Sequence, residues 1–304
     1  MATTVTVTSN YAGKEAGGII GQAFREADTI KSGFITTFEN VNFKLNLRKI
    51  ELTGGKREYT CGFLPAGSIV LSEKVLEPKK FKDDFEVCKE DFRAQWSEES
   101  MGASAHNDNA PKDIMDAITV EKLAQTSAEL DDNIWNGDGD NPTEFDGYLK
   151  LFAADADVID VDLAAPTSEA NVEAQLKQAI AAVPIALRKK PLKIGVSADV
   201  MQFYNFYLIS KGIANGLGGD ANTGAKLGKW NLVEITALPD TTIVIAEPKN
   251  LIFGTGLMAD HNEIKLADQD DYGQLTGTIK GTMVYNAGVQ YYNGEEIVWA
   301  RQIA

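Results

Sequence analysis

The stretch from Pro111 to Gly147, PKDIMDAITVEKLAQTSAELDDNIWNGDGDNPTEFDG, constrains the fold more than any other part of the chain. Its spacing predicts a long helix that stops at Asn136-Gly137-Asp138-Gly139, then a turn-rich segment and an aromatic return at Phe145. Val120, Leu123, Ala124, Ser127, Leu130 and Ile134 recur three or four apart, so one side is apolar or small, while Glu121, Gln125, Glu129 and Asp132 lie away from it. Gly137 and Gly139 supply the backbone freedom that a helix stop and a tight turn need. A helix of this length is marginal alone in water, so distant sequence must bury the stripe. Ile114, Met115 and Ile118 point roughly opposite, which predicts a separate contact for the first turns or a bend near Thr119.

Composition removes several functions. The chain has 304 residues with 44% hydrophobic content, enough for one large domain or two smaller ones. A net charge of −15 argues against a surface that grips nucleic acid, because phosphate binding needs clustered Lys and Arg. Cys61 and Cys88 are the two cysteines, too few for a disulfide framework, and they fit reduced, packed thiols in a reducing compartment such as a bacterial cytosol. No basic segment followed by an apolar run opens the sequence, and no stretch approaches about 18 uninterrupted apolar residues, so neither a secretion signal nor a membrane span is expected.

Residues 1 to about 13 read as an arm that other sequence must hold down, and Ile19 to Ile30 as a short amphipathic helix weakened by Gly17 and Gly18. From Phe34 the period becomes two. Val41, Phe43, Leu45 and Leu47 share one parity and Ile50 and Leu52 the other, which predicts a bulge or bend near Lys49. Gly54-Gly55 is read as a two-residue hairpin turn, with Lys56 to Cys61 as the return strand. The hairpin combines Arg48, Lys49, Lys56 and Arg57 with Glu51 and Glu58, and it is either a loosely held surface arm or a partner-binding element. Ser68 to Val75 and Phe81 to Cys88 are further extended segments, Glu90 to Glu99 a short helical turn, and Met101 to Ala110 a loop.

Beyond Phe152 the composition shifts. Ser168 is placed to cap a helix carrying Val172, Leu176, Ala179, Ile180, Val183 and Leu187, with a kink at Pro184 and a stop at Lys189-Lys190-Pro191. Leu192 to Val196 reads as a buried strand, Asp199 to Ser210 as an aromatic-rich helix, and Trp230 to Thr236 and Thr241 to Ala246 as strands of a small α/β subdomain. Gly212 to Gly228 is a glycine loop. Thr278 to Val289 and Gln290 to Ala300 are expected as a closing strand pair that packs back on the long helix.

Catalytic and ligand motifs fail on inspection. Gly216-x-Gly218-x-x-Ala221 follows a helix, where a dinucleotide fingerprint follows a strand, and Gly224-Ala225-Lys226 does not make a phosphate loop. Asn136, Asp138 and Asp140 have calcium-like spacing, but Asn141 stands where the sharp-turn glycine belongs and Gly147 where the bidentate glutamate belongs. A turn and helix cap is the better reading. His106 and His261 complete no recognised metal spacing with the cysteines, and no nucleophile-elbow motif occurs. Catalytic, cofactor and metal sites are therefore expected to be absent.

The order of elements is more informative: an arm and helix, a long hairpin with a glycine tip, an extended segment, the helix ending in Trp135-Asn136-Gly137-Asp138-Gly139, the return Phe145-Asp146-Gly147-Tyr148-Leu149, an α/β subdomain with a glycine loop, and closing strands. With the segment Ala246-Glu247-Pro248-Lys249-Asn250-Leu251-Ile252-Phe253-Gly254, it resembles the major capsid protein of tailed bacteriophages, with the Hong Kong 97-type fold, over nearly the whole chain. Glu86 to Phe92 is similar to capsid proteins of phages infecting Bacteroidetes.

The resemblance implies an α+β capsid fold. Its parts would be an N-terminal arm and helix (1–33), an extended hairpin loop (34–75), a peripheral domain with the long helix as spine (76–151), an axial domain (152–255) and return strands of the peripheral domain (256–304). It implies a non-enzymatic shell subunit of the virion, assembled in the host bacterial cytoplasm as hexamers and pentamers around double-stranded DNA that it does not bind specifically. A separate scaffolding protein, a portal and a decoration protein are the implied partners, with no membrane and no cofactor. Arg48, Lys49, Glu51, Lys56, Arg57 and Glu58 become inter-subunit contact candidates. Some members crosslink a lysine of the extended loop to an asparagine of another subunit; Lys56 and Asn286 stand in suitable elements, but no motif identifies that chemistry. An encapsulin-like shell around enzyme cargo and an acidic enzyme are the alternatives.

Overall fold

The computed structural model describes residues 27–41, 43–59, 61, 67–88, 112–212, 226–256, 265–269 and 278–303, with backbone only at 87, 112–120, 123 and 265–268. In chain order the elements are α1 (Asp28–Lys31), β1 (Thr36–Phe38), β2 (Leu45–Thr53), β3 (Ser68–Leu76), β4 (Lys79–Cys88), α2 (Lys112–Asn136) and α3 (Tyr148–Ala154). They continue with β5 (Ile159–Asp162), α4 (Val172–Ala182), β6 (Lys193–Val196), α5 (Ala198–Ser210), β7 (Lys226–Leu227), β8 (Trp230–Glu234) and β9 (Ile243–Ala246). The chain closes with β10 (Leu251–Thr255), β11 (Lys265–Asp268), β12 (Thr278–Tyr291) and β13 (Val298–Arg301). The chain divides into two compact units, one of residues 1–42, 78–147 and 253–288, the other of 43–77, 148–252 and 289–304.

The first unit is built on α2 and a five-stranded sheet ordered β1-β10-β12-β11, with β4 also paired to β12. The β4–β12 ladder is antiparallel and runs unbroken from Lys79↔Ala287 to Cys88↔Thr278. Within it Gly281 faces Phe85, whose ring occupies the space a side chain at 281 would need. The expected face of α2 is buried at Ser127, Leu130 and Ile134, and Glu121, Gln125, Glu129 and Asp132 are exposed. The buried face is rotated from the expectation, however. Ala124 is exposed, while Thr126, Asp131 and Trp135 are buried. The reason is a polar junction with α1: the Thr29 N–H donates to Asp131 Oδ1 at 3.1 Å, and Trp135 Nε1 donates to Thr29 Oγ1 at 2.8 Å. Phe34 packs on Trp135 at 5.9 Å between ring centroids.

Burial raises the Asp131 carboxyl above its ordinary pKa, and nearby Asp28 and Asp132 add to this, against the hydrogen bonds from Thr29. A folded pKa above the unfolded one stabilises the protein only while the group is protonated, so this contribution fades as pH rises through the folded value. Asp131→Asn keeps an oxygen for the Thr29 N–H and removes the buried charge. It is expected to melt about 2 °C above wild type at pH 7, the gap closing near pH 4. A lower melting temperature at pH 7 contradicts this account.

Helix α2 ends in a hydrogen-bonded lock. Gly147 N–H donates to the Gly137 carbonyl at 2.8 Å, and Gly137 N–H to the Asn133 carbonyl at 3.2 Å. Asp138 N–H donates to Glu144 Oε2 at 2.8 Å, Gly139 N–H to Asp146 Oδ1 at 3.0 Å, and Asp140 N–H to Asp138 Oδ1 at 3.1 Å. Lys79 Nζ spans the turn by donating to the carbonyls of Gly139 and Glu144 at 2.5 and 3.1 Å. Of the calcium-like positions, Asp138 is occupied by a backbone N–H, and Glu144 and Asp146 accept two more, as a turn and cap requires.

The second unit carries a six-stranded mixed sheet, ordered β5-β13-β9-β6-β8-β7. β6 and β8 are parallel and α5 lies in the crossover between them, as parallel pairing demands. Val172, Leu176 and Ala179 of α4, Ile194 and Val196 of β6, Val200, Met201 and Tyr204 of α5, and Ile243 and Ile245 of β9 form the core. Three expectations are corrected here. Asn171 rather than Ser168 holds the N-cap position of α4, with Asn171 Oδ1 accepting from the Ser168 N–H at 2.7 Å. Pro184 stops the helix instead of kinking it, since Val183 before it is extended and α4 ends at Ala182. The two closing segments do not pair with each other: β13 lies between β5 and β9, because its apolar Val-Trp-Ala run suits a strand covered on both faces.

The arm 1–13, the first part of the helix expected over Ile19 to Ile30, the turn at Glu90 to Glu99, the loop at Met101 to Ala110, both histidines and 213–225 of the glycine loop lie outside the described residues. So do the side chains of Ile114, Met115 and Ile118.

Candidate functional site

The hairpin stands where the sequence places it, but with a different turn. β2 pairs antiparallel with β3 from Leu45↔Leu76 to Thr53↔Ser68, so the return strand is Ser68–Leu76 and not Lys56 to Cys61. Gly54-Gly55 begins a long connection that closes at Gly67, and all three have positive φ, at 83°, 121° and 103°. The physical reason is the root: this longer register buries Leu47 and Leu76, which a turn at Gly54-Gly55 would leave without a partner strand. The bulge expected near Lys49 is also absent, since the register passes through Lys49↔Ser72 unbroken.

Without a bulge, the parity switch means that the ribbon is apolar on different faces at its two ends. Leu45, Leu47, Lys49 and Glu51 share a face with Leu76, Lys74, Ser72 and Val70. At the root, this face is tied to the body of its own unit. Lys74 Nζ lies 2.6 Å from Asp155 Oδ2 and 3.6 Å from the centroid of the Tyr291 ring, and Tyr291 OH donates to the same Asp155 oxygen at 2.7 Å. Lys49 pairs with Glu51 and lies 3.9 Å from Glu295. Burial would lower the Lys49 pKa, but the hydrogen bond to Glu51 and the charge of Glu295 hold it above its ordinary value.

The opposite face carries Asn46, Arg48, Ile50 and Leu52 against Val75, Glu73, Leu71 and Ile69. Ile50 and Leu52 are 63% and 73% exposed, and their cross-strand partners Leu71 and Ile69 are 70% and 71% exposed. Four large apolar side chains on one face of a two-stranded ribbon form a patch that calls for a partner.

The six sequence candidates therefore separate. Lys49 and Glu51 belong to the inward face, Arg48 to the outward face, and Lys56, Arg57 and Glu58 follow the end of β2 in the connection to β3, all exposed. Ile50, Leu52, Ile69 and Leu71, which the charge pattern did not single out, are the prominent feature. Their signal was the parity switch itself. A cleft of about 600 Å³ runs along β2, lined by Arg48 to Thr53, Lys190, Glu247, Lys249, Asn250 and residues of the 292–296 turn. Lys190 bridges Glu247 at 3.3 Å and Glu296 at 2.6 Å across it.

Asp155 fastens the root. Burial alone would raise its pKa, but hydrogen bonds from Lys74, Tyr291 and the Asp157 N–H hold it below the ordinary carboxylate value. A depressed folded pKa means that this fastening persists at neutral pH and is lost as pH falls through the folded value. Asp155→Asn is expected to raise hydrogen-exchange rates in β3 about tenfold at pH 7 without altering those of β6 and β9. Unchanged β3 exchange would count against the latch.

Among the described residues no group of three His, Cys, Asp or Glu is placed to hold a metal ion, and no helix is long and apolar enough to cross a membrane. Cys61 and Cys88 are free thiols, but they are not both packed as expected: Cys61 is exposed, because it lies in the connection from β2 to β3, and Cys88 is half-buried at the end of β4. No protein-family model matches the chain, and no curated protein matches it either. Solved structures do. A chain of the satellite phage P4 procapsid, which includes its size determination protein, aligns with a TM-score of 0.54 at 13% identity, over 94% of this chain and 98% of that one. A chain from the capsid of the native GTA particle aligns at 0.58 and 9% identity, over 91% and 90%. The chain has the fold of phage capsid proteins. The capsid fold extends to a virus-like particle from Pyrococcus furiosus, at a TM-score of 0.53 and 10% identity over 95% of this chain and 99% of that one. These alignments cover 90% or more of both partners.

Proposed function

We propose that this chain is the structural, non-catalytic subunit of an icosahedral phage head. The observation that carries the reading is the end-to-end match to procapsid and capsid chains, whole chain against whole chain. The exposed apolar face of the hairpin supports it, because a subunit that meets copies of itself needs such a face and a monomer does not.

On this reading the Hong Kong 97-type layout follows: an N-terminal arm and helix over 1–33, an extended loop over 34–75, a peripheral domain over 76–151 with α2 as its spine, an axial domain over 152–255, and return strands from 256, with β13 added to the axial sheet. Hexamers and pentamers of the chain enclose double-stranded DNA held without specific binding, which suits a net charge of −15. Assembly takes place in the host cytoplasm and the product is the virion shell. Scaffolding, portal and decoration proteins are the partners to seek. Arg48, on the outward face, and the exposed Lys56, Arg57 and Glu58 are the charged members of the inter-subunit contact.

A second reading is favoured by the Pyrococcus furiosus particle: a closed nanocompartment of the encapsulin kind around enzyme cargo. Electron microscopy of the purified protein separates the two. Closed shells of phage-head size support the first, small uniform cages the second, and a persistent monomer under all assembly conditions rejects both.

A further inference from the structure

The six-stranded sheet of the second unit is electrically polar along its strands. β6 and β8 are parallel and β9 is antiparallel to β6, so the first residues of β6 and β8 and the last of β9 lie at one end of the sheet. Leading into β6 there, the run Arg188-Lys189-Lys190-Pro191-Leu192-Lys193 supplies four cations. The β7–β8 turn adds Lys226 and Lys229, and Lys249 follows β9. Glu247 is the single carboxylate within 188–193, 226–231 and 246–250, and with Glu296 it is taken by Lys190. The residues that run to the opposite end and back, 194–210 and 232–246, carry Asp199, Glu234 and Asp240 and no Lys or Arg. A net charge of −15 conceals this basic end, because three segments far apart in sequence build it.

The cations form a row across the neighbouring strands β9, β6, β8 and β7, about 15 Å from the first to the last. Lys193 and Lys226 stand opposite Asn231 from its two sides, so they share a face about 10 Å apart. Lys229 Nζ donates to the Arg188 carbonyl and ties the turn to the lead-in of β6. Arg188 is turned onto its own backbone, donating to the carbonyls of Val183 at 3.1 Å and Ala181 at 3.3 Å. Lys189, Lys226 and Lys249 are exposed and have no ion-pair or hydrogen-bond partner among the described residues. At about 0.1 M salt a charge is felt over roughly 10 Å, so an anion at this end meets the row and not the acidic remainder of the chain.

Residue type selects the anion. All the cations of the row except Arg188 are lysines. Contacts between proteins enrich arginine and deplete lysine, whose compact ammonium is strongly hydrated. A phosphate backbone has the opposite requirement, for point charges that displace counterions while staying wet. A duplex presents one charge per about 1.7 Å of its axis and so offers such a row several phosphates at once.

We infer that this end of the sheet is a phosphate-binding patch whose ligand is the backbone of duplex DNA, held by Lys189, Lys193, Lys226 and Lys249. The contact reads no sequence, since phosphates carry none. DNA as the source of the phosphates rests on the shell reading, and the patch is a foothold for the enclosed duplex on a subunit that otherwise repels it.

Fluorescence anisotropy of a labelled duplex with the full-length dissociated subunit tests the patch without requiring assembly. Binding is expected at about 50 mM salt, with log K falling against log salt at a slope of about −3, as for three or four neutralised phosphates. Lys189→Glu with Lys226→Glu is expected to reduce that slope by about two and the affinity at least about tenfold, with the melting temperature unchanged. Lys177→Glu with Lys211→Glu makes the same change in net charge beside Glu173 and is expected to leave binding within about twofold. No binding at that salt, a first variant that binds as wild type does, or a control that loses as much, each overturns the patch and leaves the shell reading intact. In particles, acetylation of Lys189 and Lys226 is expected to be at least about tenfold slower when DNA fills them than when they are empty. Equal rates overturn DNA as the ligand. Failure to form particles under any condition removes the shell reading and DNA with it, while the anisotropy still decides the patch.

Discussion

Replacing Ile50, Leu52, Ile69 and Leu71 together with serine is expected to leave a folded, soluble subunit that no longer forms particles. The four residues make two directly opposed pairs on one face of the ribbon, each side chain more than half exposed. Because none of them is buried in the core of its own chain, their loss removes little folding free energy, and shedding an exposed apolar patch improves solubility. If each is covered on assembly, the contact loses roughly 1.5 kcal/mol or more per side chain, about 6 kcal/mol at every copy of the interface. In a closed shell that deficit recurs at each subunit, so the equilibrium shifts to free protein well before any single contact is abolished. Sedimentation velocity and electron microscopy read assembly, and far-ultraviolet circular dichroism with a melting curve reads the fold. Normal particle yield from this variant would show that the outward face is not a contact between copies, and a collapsed melting temperature would show that the patch is buried within its own subunit.

Gly147→Ala is expected to cost about 3 kcal/mol or more of folding stability, from crowding and not from conformational strain. A Cβ at 147 would lie 2.5 Å from the Trp135 carbonyl oxygen and 2.7 Å from the Gly137 nitrogen, both backbone atoms of the helix end. Neither can retreat. Trp135 is wholly buried with its indole bonded to Thr29, and Gly137 accepts the Gly147 N–H. The chain must therefore open the lock at the end of α2 or distort its last turn. Gly228→Ala is the control: its φ of 66° imposes strain, but among the described residues no atom lies within 4 Å of the added methyl, so about 1 kcal/mol is expected. Urea unfolding of the two variants should separate them by a factor of two or more in the loss. Equal losses would mean that close approach at Gly147 does not limit the fold.

How much of this could be read from the chain varies with the range of the interaction. The end of α2 was legible because its determinants are local: two glycines, a run of acids and a returning aromatic lie within one short stretch. The apolar face of α4 was legible for the same reason, through its helical spacing. The rotation of the α2 face toward Asp131 was not, because it depends on Thr29, far away in sequence, supplying the hydrogen bond that makes a buried carboxylate tolerable. The hairpin shows both cases. Its strands were visible as alternation, yet the Gly54-Gly55 pair suggested a short turn, and only the partnering of Leu45 with Leu76 fixes the longer one. Interpreting the change of parity as a bulge followed from assuming one buried face per strand. Relaxing that assumption turns Ile50 and Leu52 from an irregularity into half of the candidate contact. The positions of the charged candidates were visible and their roles were not, since the pairing of Lys49 with Glu295 belongs to the tertiary fold.

The root latch of Lys74, Asp155 and Tyr291 has a mechanical consequence. A nine-residue ribbon is about 30 Å long, so a tilt of roughly 5° at its fastened end carries the tip sideways by roughly 3 Å. The ladder makes the ribbon stiff along its length, and compliance is concentrated where it leaves the body. One sequence could then meet neighbours at slightly different angles by a small adjustment at a single pivot, with the contact surfaces at either end unaltered.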